Sequence, residues 1–405
     1  MYFKGRVLLA GLVLLMLMPV AFADGWKVKG ALGQTVQYDD NIAMRVDANP
    51  AFGYLLSPSF GADWSTSNMS AGITGSGDIR RYNDRRWNCE GFSLRANQQY
   101  QTRLQVFSLS GSYRRNCSSS SQISDDGIIR PNSKEETYSI TPAWSWQWSA
   151  LDKFSISPGY SKTSYSTTGP EGGSETSLLD FQGNETYSLN VSESHTWTRR
   201  LSSTGSLFFS RSEFGNSLKQ SVFGFQVSSQ YAITRKWSIN AGGGLRWVKS
   251  PSGSQSFGDN DNGSLLRTEI ANLALNYKDR KANYSLTYSR SVSPSALGQL
   301  SKYNSVGMSY SYQITRKLDF NISGDFSKNE SIGENEFQTN SERTFYSGSA
   351  RLTWNFAREW QLSASYRYRR QDYANSGDGQ EEAGGTSNAV MFSLNYNWNG
   401  MRTSY

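Results

Sequence analysis

From Lys27 onward the chain alternates apolar residues with small or polar ones at a period of two, segment after segment. Phe223, Phe225, Val227, Tyr231 and Ile233 share one face, with Gly224, Gln226, Ser228, Gln230 and Ala232 on the other. Trp237, Ile239, Ala241, Leu245 and Trp247 repeat the pattern against Ser238, Asn240, Gly242, Gly244 and Arg246, and Leu318, Phe320, Ile322 and Phe326 do so against Asp319, Asn321, Ser323 and Asp325. The last segment holds Val390, Phe392, Leu394, Tyr396 and Trp398 on one face. A period of two is that of a β-strand. Each segment runs for about 10 to 12 residues, longer than the about 5 to 6 of a soluble strand and suited to a tilted strand that crosses a bilayer. A soluble sandwich alternates too, so the polar face decides: its Ser, Asn, Gln, Gly and charges suit a watery lumen better than a packed core. Trp197, Trp237, Trp247, Trp354, Trp360 and Trp398 stand at segment ends, where membrane barrels carry aromatic girdles.

The connections alternate between short and long. Short basic turns recur as Trp197-Thr198-Arg199-Arg200-Leu201, Ile233-Thr234-Arg235-Lys236-Trp237, Ile314-Thr315-Arg316-Lys317-Leu318 and Phe356-Ala357-Arg358-Glu359-Trp360, with looser versions near Asn68, Thr102, Asp152 and Asp279. Long polar stretches lie between them, from Ser166 to Gly183, Ser250 to Gly263, Asn329 to Glu342 and Ala374 to Thr386. Short turns belong to the periplasmic side and long loops to the outside. Eight short turns define sixteen strands, and a first strand near Lys27 to Tyr38 with a last near Ser387 to Trp398 brings the number to eighteen. The weaker pattern between Ala48 and Glu90 leaves sixteen as the alternative. The predicted fold is all-β: a transmembrane antiparallel β-barrel with periplasmic termini.

The first residues belong to another element. Lys4 and Arg6, the apolar run Val7 to Met18 and Ala21-Phe22-Ala23 form a signal peptide, so the expected organisation is 1–23 signal peptide and 24–405 barrel, integral to the outer membrane of a Gram-negative bacterium. Its removal takes the formal net charge from +7 to +5. That mild excess, with no concentrated basic stripe, argues against nucleic acid as a partner. The 12 Trp, 23 Tyr and 20 Phe are too much apolar area for a disordered chain. Beyond the signal peptide no run reaches the about 18 to 20 apolar residues of a membrane helix.

Candidate chemistry is sparse. One histidine and two cysteines cannot furnish a His/Cys metal centre, so no metal or other cofactor is expected. The histidine, His195, shares a face with Tyr187, Leu189, Val191 and Trp197 and reads as an interfacial, lipid-side residue; Glu193 breaks the pattern of that face. Asp319 and Asp325 fall on the lumen face, but six residues of one strand separate them by roughly 20 Å, too far for a glycosidase pair. The protein is therefore not expected to be an enzyme. Gly258 to Gly263 resembles half a calcium loop, with Ile270 where the closing glutamate belongs. Arg246, Arg351, Arg367 and Arg369 point into the lumen on the same alternation, Arg367 and Arg369 as a two-rung ladder among Asn and Ser neighbours. Such side chains either set anion selectivity or pair with carboxylates and brace the wall. Cys89 and Cys117 each lie fourteen residues from Arg103, so one hairpin brings them nearly opposite, and export permits a disulfide.

Tyr38-Asp39-Asp40-Asn41, at the end of the first strand, resembles a segment of the porin-type outer-membrane β-barrel family found with bacterial exopolysaccharide and capsule export systems. The resemblance implies an eighteen-stranded channel that passes a polysaccharide and works with a periplasmic polysaccharide-export protein and an inner-membrane copolymerase. Read from the residues alone, the same four positions form an Asx-type turn that starts an external loop. Polysaccharide export, driven passively by those partners, is the leading expectation. A general or anion-preferring nutrient porin, with the same wall, is the alternative.

Overall fold

A computed structural model describes residues 25–44, 48–117, 133–167, 183–215, 219–249, 265–294, 300–332, 341–375, 381–382, 384–398 and 400. The expected signal peptide, the Gly258–Gly263 segment and most long loops lie outside these residues. The strands run β1 (Lys27–Asp39), β2 (Ala51–Ser65), β3 (Met69–Tyr82), β4 (Cys89–Gln101), β5 (Gln105–Cys117), β6 (Ser133–Gln147), β7 (Asp152–Thr167), β8 (Asn184–Thr196) and β9 (Leu201–Phe214). They continue as β10 (Lys219–Ala232), β11 (Trp237–Lys249), β12 (Leu265–Lys278), β13 (Ala282–Pro294), β14 (Leu300–Gln313), β15 (Leu318–Ile332), β16 (Ser341–Trp354), β17 (Trp360–Asn375), the two-residue β18 (Glu381–Glu382) and β19 (Thr386–Trp398). Apart from β18, each strand pairs antiparallel with its neighbours, and β1 pairs with both β2 and β19, so eighteen strands close into a barrel without an edge. Closure is what lets strands cross lipid, where an unpaired backbone group would cost several kcal/mol. No helix among the described residues is long and apolar enough to cross a membrane.

The register sorts side chains to two faces. Phe223, Phe225 and Val227 are exposed on the outside, as are Leu352, Tyr366, Val390 and Phe392. Inside, hydroxyls meet across neighbouring strands, as in Thr35 to Ser393, Ser289 to Ser305 and Ser323 to Ser349, each at 2.7 to 2.8 Å. Gln226 of β10 reaches across β11 to Asn272 of β12, Nε2 to Oδ1 2.6 Å. Gly242 makes the space: a Cβ there would stand 2.5 Å from the Asn272 amide oxygen.

The eighteen barrel strands are 13 to 16 residues long, longer than their apolar alternation, and parts of the segments read as loops, Asn329–Ile332 and Ser341–Glu342, are strand. The reason lies on the outward face. Above the ring pair Phe326–Tyr346 it carries Lys302, Lys328, Glu330 and Glu342 as an ion-pair network, and above Tyr160–Tyr187 it carries Lys162 with Glu185. The ladder continues past the lipid into the polar outer layer, where an apolar face gains nothing. The eight short turns expected from the sequence lie at the other end, beside Lys27 and Trp398.

Candidate functional site

At the outer end of the wall the seam between β17, β19 and β1 gathers charge. Asp39, the last residue of β1, has no exposed surface. Its Oδ2 accepts from Arg369 Nη2 at 2.7 Å and lies 3.7 Å from Arg367 Nη2. Its Oδ1 accepts from Ser387 Oγ at 2.8 Å and from the backbone N–H of Asn41 at 3.1 Å. Arg369 also donates to Ser387 Oγ at 2.8 Å. A buried carboxylate is stable only with such partners. Asp40, on the outward face, takes the backbone N–H and the side-chain amide of Asn388, both at 2.7 Å, and Tyr38 is exposed toward lipid. The Asp39-to-Asn41 bond is an Asx turn. The Tyr38–Asn41 segment is thus a latch that joins the first strand to the last two barrel strands.

The latch aims the following connection inward. Met44, at φ 50°, is 1% exposed and packs with Ala43 against Trp87 and Phe345. Its carbonyl accepts from Gln371 Nε2 at 3.0 Å, and Gln371 Oε1 accepts from Arg343 Nη2 at 3.1 Å. Trp87 arrives on a 3₁₀ turn, Arg85–Trp87, capped by Asp84, whose Oδ1 accepts from Arg86 N at 3.1 Å. Hydrogen bonds from Arg86 hold the Asp84 carboxyl below the usual carboxylate range. On the β3 side Arg80 Nε donates to Asp78 at 2.8 Å, and Tyr82 lies within electrostatic reach of Arg80, Asp78, Asp39 and Arg367. Segments that leave β1 and β3 therefore fold over one side of the outer mouth. Beneath them Arg367 and Arg369 meet Asp39, Arg80 meets Asp78, and Arg343 donates to Gln371.

Of the charges expected in the lumen, all lie on the inward face. Arg369 follows the bracing alternative: it is 5% exposed and, beside its Ser387 neighbour, pairs with a buried carboxylate. The partner is Asp39, more than 300 residues away in the chain and brought there by barrel closure. Arg367 keeps a third of its side chain exposed beside the same carboxylate. Arg246 lies against the wall, its Nη1 donating to the Val292 carbonyl at 2.8 Å and its guanidinium 4.5 Å from the Phe208 ring centre. Gly224 leaves the room for that ring, since a Cβ there would meet Phe208 Cζ at 2.6 Å. Arg351, opposite Asn321 and Ser365, is exposed to the lumen. Asp325, midway along β15, accepts from Ser347 at 3.3 Å, and Asp319, at the inner end of the same strand, accepts from Asn355 at 3.3 Å. Arg343, Arg80 and Gln371 were missed, although Arg343 shares the parity of Arg351, because its surroundings read as loop.

His195 and its neighbours lie elsewhere, on the outward face at the inner rim. His195 Nδ1 is 2.5 Å from Asp152 Oδ1, and its ring stands edge-on to Trp197 at 4.3 Å. Ser149 donates to the other oxygen of Asp152 and accepts the N–H groups of Leu151 and Asp152 at 3.0 Å. Serine and histidine both turn to one carboxylate, so the histidine does not touch the serine hydroxyl as a nucleophile's base must. The geometry is that of a braced turn. Glu193 is exposed on the same face, opposite Phe154 and Gly205. Cys89 is disulfide-bonded, and no cysteine among the described residues is free.

No family model and no curated protein matches the chain. Among solved structures it is similar to the siderophore receptor PirA of Acinetobacter baumannii, at 8% identity and TM-score 0.49, over 92% of this chain and 80% of that one. It is similar to OccAB4 of the same organism, at 11% identity and TM-score 0.48, over 94% and 98% of the two chains. OpdK of Pseudomonas aeruginosa is similar at 9% identity and TM-score 0.45, over 92% and 99%. The chain's own geometry carries the conclusion: a closed antiparallel barrel, apolar outside and polar within, is an integral protein of the bacterial outer membrane.

Proposed function

We propose that the barrel is a passive diffusion channel for small hydrophilic solutes, with a preference for anions. The observation that carries this reading is the outer mouth: inward-folded segments narrow it on one side, over a wall where, among the described residues, Arg80, Arg343, Arg367 and Arg369 stand with the carboxylates Asp39 and Asp78. Barrels of 16 to 18 strands commonly leave an aqueous channel, and rings of Arg or Lys favour anions in it. Export of a polysaccharide rests on the Tyr38–Asn41 resemblance. In this fold Asp39 and Asp40 of that segment are engaged by Arg369, Ser387 and Asn388 in holding the wall together.

Purified protein in planar bilayers under a potassium chloride gradient tests the reading. The expected reversal potential has the sign of chloride preference, and Arg367→Gln moves it toward zero. Absence of conductance, or a cation preference, would refute it. A deletion strain separates the two solute classes: loss of surface polysaccharide with normal small-anion uptake would move the protein to polymer export.

A further inference from the structure

The cationic turns of the inner rim cluster on one side. Five consecutive short turns hold nine exposed cations: Arg199 and Arg200, Arg235 and Lys236, Arg280 and Lys281, Arg316 and Lys317, and Arg358. Two carboxylates, Asp279 and Glu359, stand among them. The other three short turns, 66–68, 102–104 and 148–151, carry a single cation, Arg103. Turn chemistry does not require the difference. Thr198, Thr234 and Thr315 each accept, at Oγ1, the N–H groups two and three residues on, at 3.0 to 3.2 Å. Thr66 and Thr102 form the same third-residue bond in turns with no cation or one, at 3.1 and 3.0 Å. Insertion does not require it either, because exposed aromatic residues ring both halves: Trp146 and Trp148 on one, Trp197, Trp354 and Trp360 on the other.

We propose that this arc is a binding surface for anionic phospholipid headgroups of the periplasmic leaflet. Every cation lies within three residues of a membrane-side apolar residue, such as Trp197, Ile233, Tyr277, Ile314 or Phe356. Three residues of chain reach at most about 10 Å, close to a Debye length, so the charges stay in the phosphate layer whose depth the rings set. Arg and Lys stems can also lie back along those rings while their heads meet phosphate. Neighbouring hairpin turns are about 10 Å apart, the spacing of two strands, so each basic turn can hold its own headgroup. The Lys236–Asp279 ion pair, 3.0 Å, ties two of the turns together and leaves the rest of the arc in cationic excess.

The test is quenching of tryptophan fluorescence by brominated lipid in reconstituted full-length barrel. Brominated phosphatidylglycerol is compared with brominated phosphatidylcholine at low and high salt. A local preference for phosphatidylglycerol of about five-fold or more is expected, since one cation near an anionic surface has about that effect. It should collapse at high salt and in a variant with Arg199, Arg200, Arg316 and Lys317 changed to Gln, but survive Arg103→Gln with Lys153→Gln on the opposite side. Native mass spectrometry of the wild type with mixed lipids gives a second readout that needs no variant to fold. Equal quenching by the two lipids, or a preference that the turn substitutions leave intact, would overturn the site. Binding of polyglutamate through these turns, without lipid preference, would assign the arc to an acidic protein and overturn it equally.

Discussion

At the scale of single residues the barrel separates charges that hold it together from charges that face its water. Asp39 is fully buried and Arg369 is its nearest cation. Arg369→Ala removes the nearest cation from that carboxylate and leaves only Arg367 at 3.7 Å, and breaking a buried pair costs about 3 to 5 kcal/mol. The expected outcome is a lower unfolding midpoint in detergent; an unchanged midpoint would show that Arg367 alone suffices. Arg367→Gln, by contrast, should leave the midpoint nearly unchanged and alter ion selectivity. Asp84 brings pH into the mouth. Its native carboxyl is held low, chiefly by hydrogen bonds from Arg86. A depressed folded-state pKa stabilises above the unfolded value, about 3.9, and the contribution is lost as pH falls through the native one. The Arg86 amide should therefore stay protected from hydrogen exchange at pH 4 and lose protection only in stronger acid. Loss of protection above pH 4 would contradict the cap.

At the scale of elements, alternation assigns neighbouring residues of one strand to different solvents. Phe225 and Gln226 lie side by side near the middle of β10, one toward lipid and one toward the lumen. Phe225→Arg should destabilise the barrel by about 2 to 4 kcal/mol, the cost of a basic residue at mid-membrane, and Gln226→Arg by much less. Equal losses in reversible unfolding from lipid vesicles would invalidate the assignment of faces. Strand length follows the same logic. Beyond Phe326 and Tyr346 the outward residues become Lys302, Lys328, Glu330 and Glu342, so hydropathy alone ends the strand too early while hydrogen bonding carries it on.

For the whole molecule, closure is the event on which stability depends. β1 and β19 share a ten-residue register from Gly30–Trp398 to Asp39–Ala389, at opposite ends of the chain. Until that seam forms, both strands present open edges that lipid cannot satisfy. Truncation after Ala389 should abolish the heat-modifiable gel migration and β-rich circular dichroism expected of the full chain. A truncated protein that retained both would mean that seventeen strands close by themselves.

The period-two pattern by itself determined the strand class, the two faces and all eight short turns, because each depends on residues within one hairpin. The basic turns and the inward parity of Arg246, Arg351, Arg367, Arg369, Asp319 and Asp325 were legible for the same reason. The tertiary structure decided which of those charges remain open to the lumen. Arg369 and Asp39 stand 330 residues apart, and no local pattern records that closure buries one against the other. Met44 and Trp87 likewise meet only because β1 and β3 deliver two connections to one side of the mouth. Periodicity is a property of neighbours in sequence, whereas burial and pairing in a barrel are properties of neighbours around a ring, and the first does not contain the second.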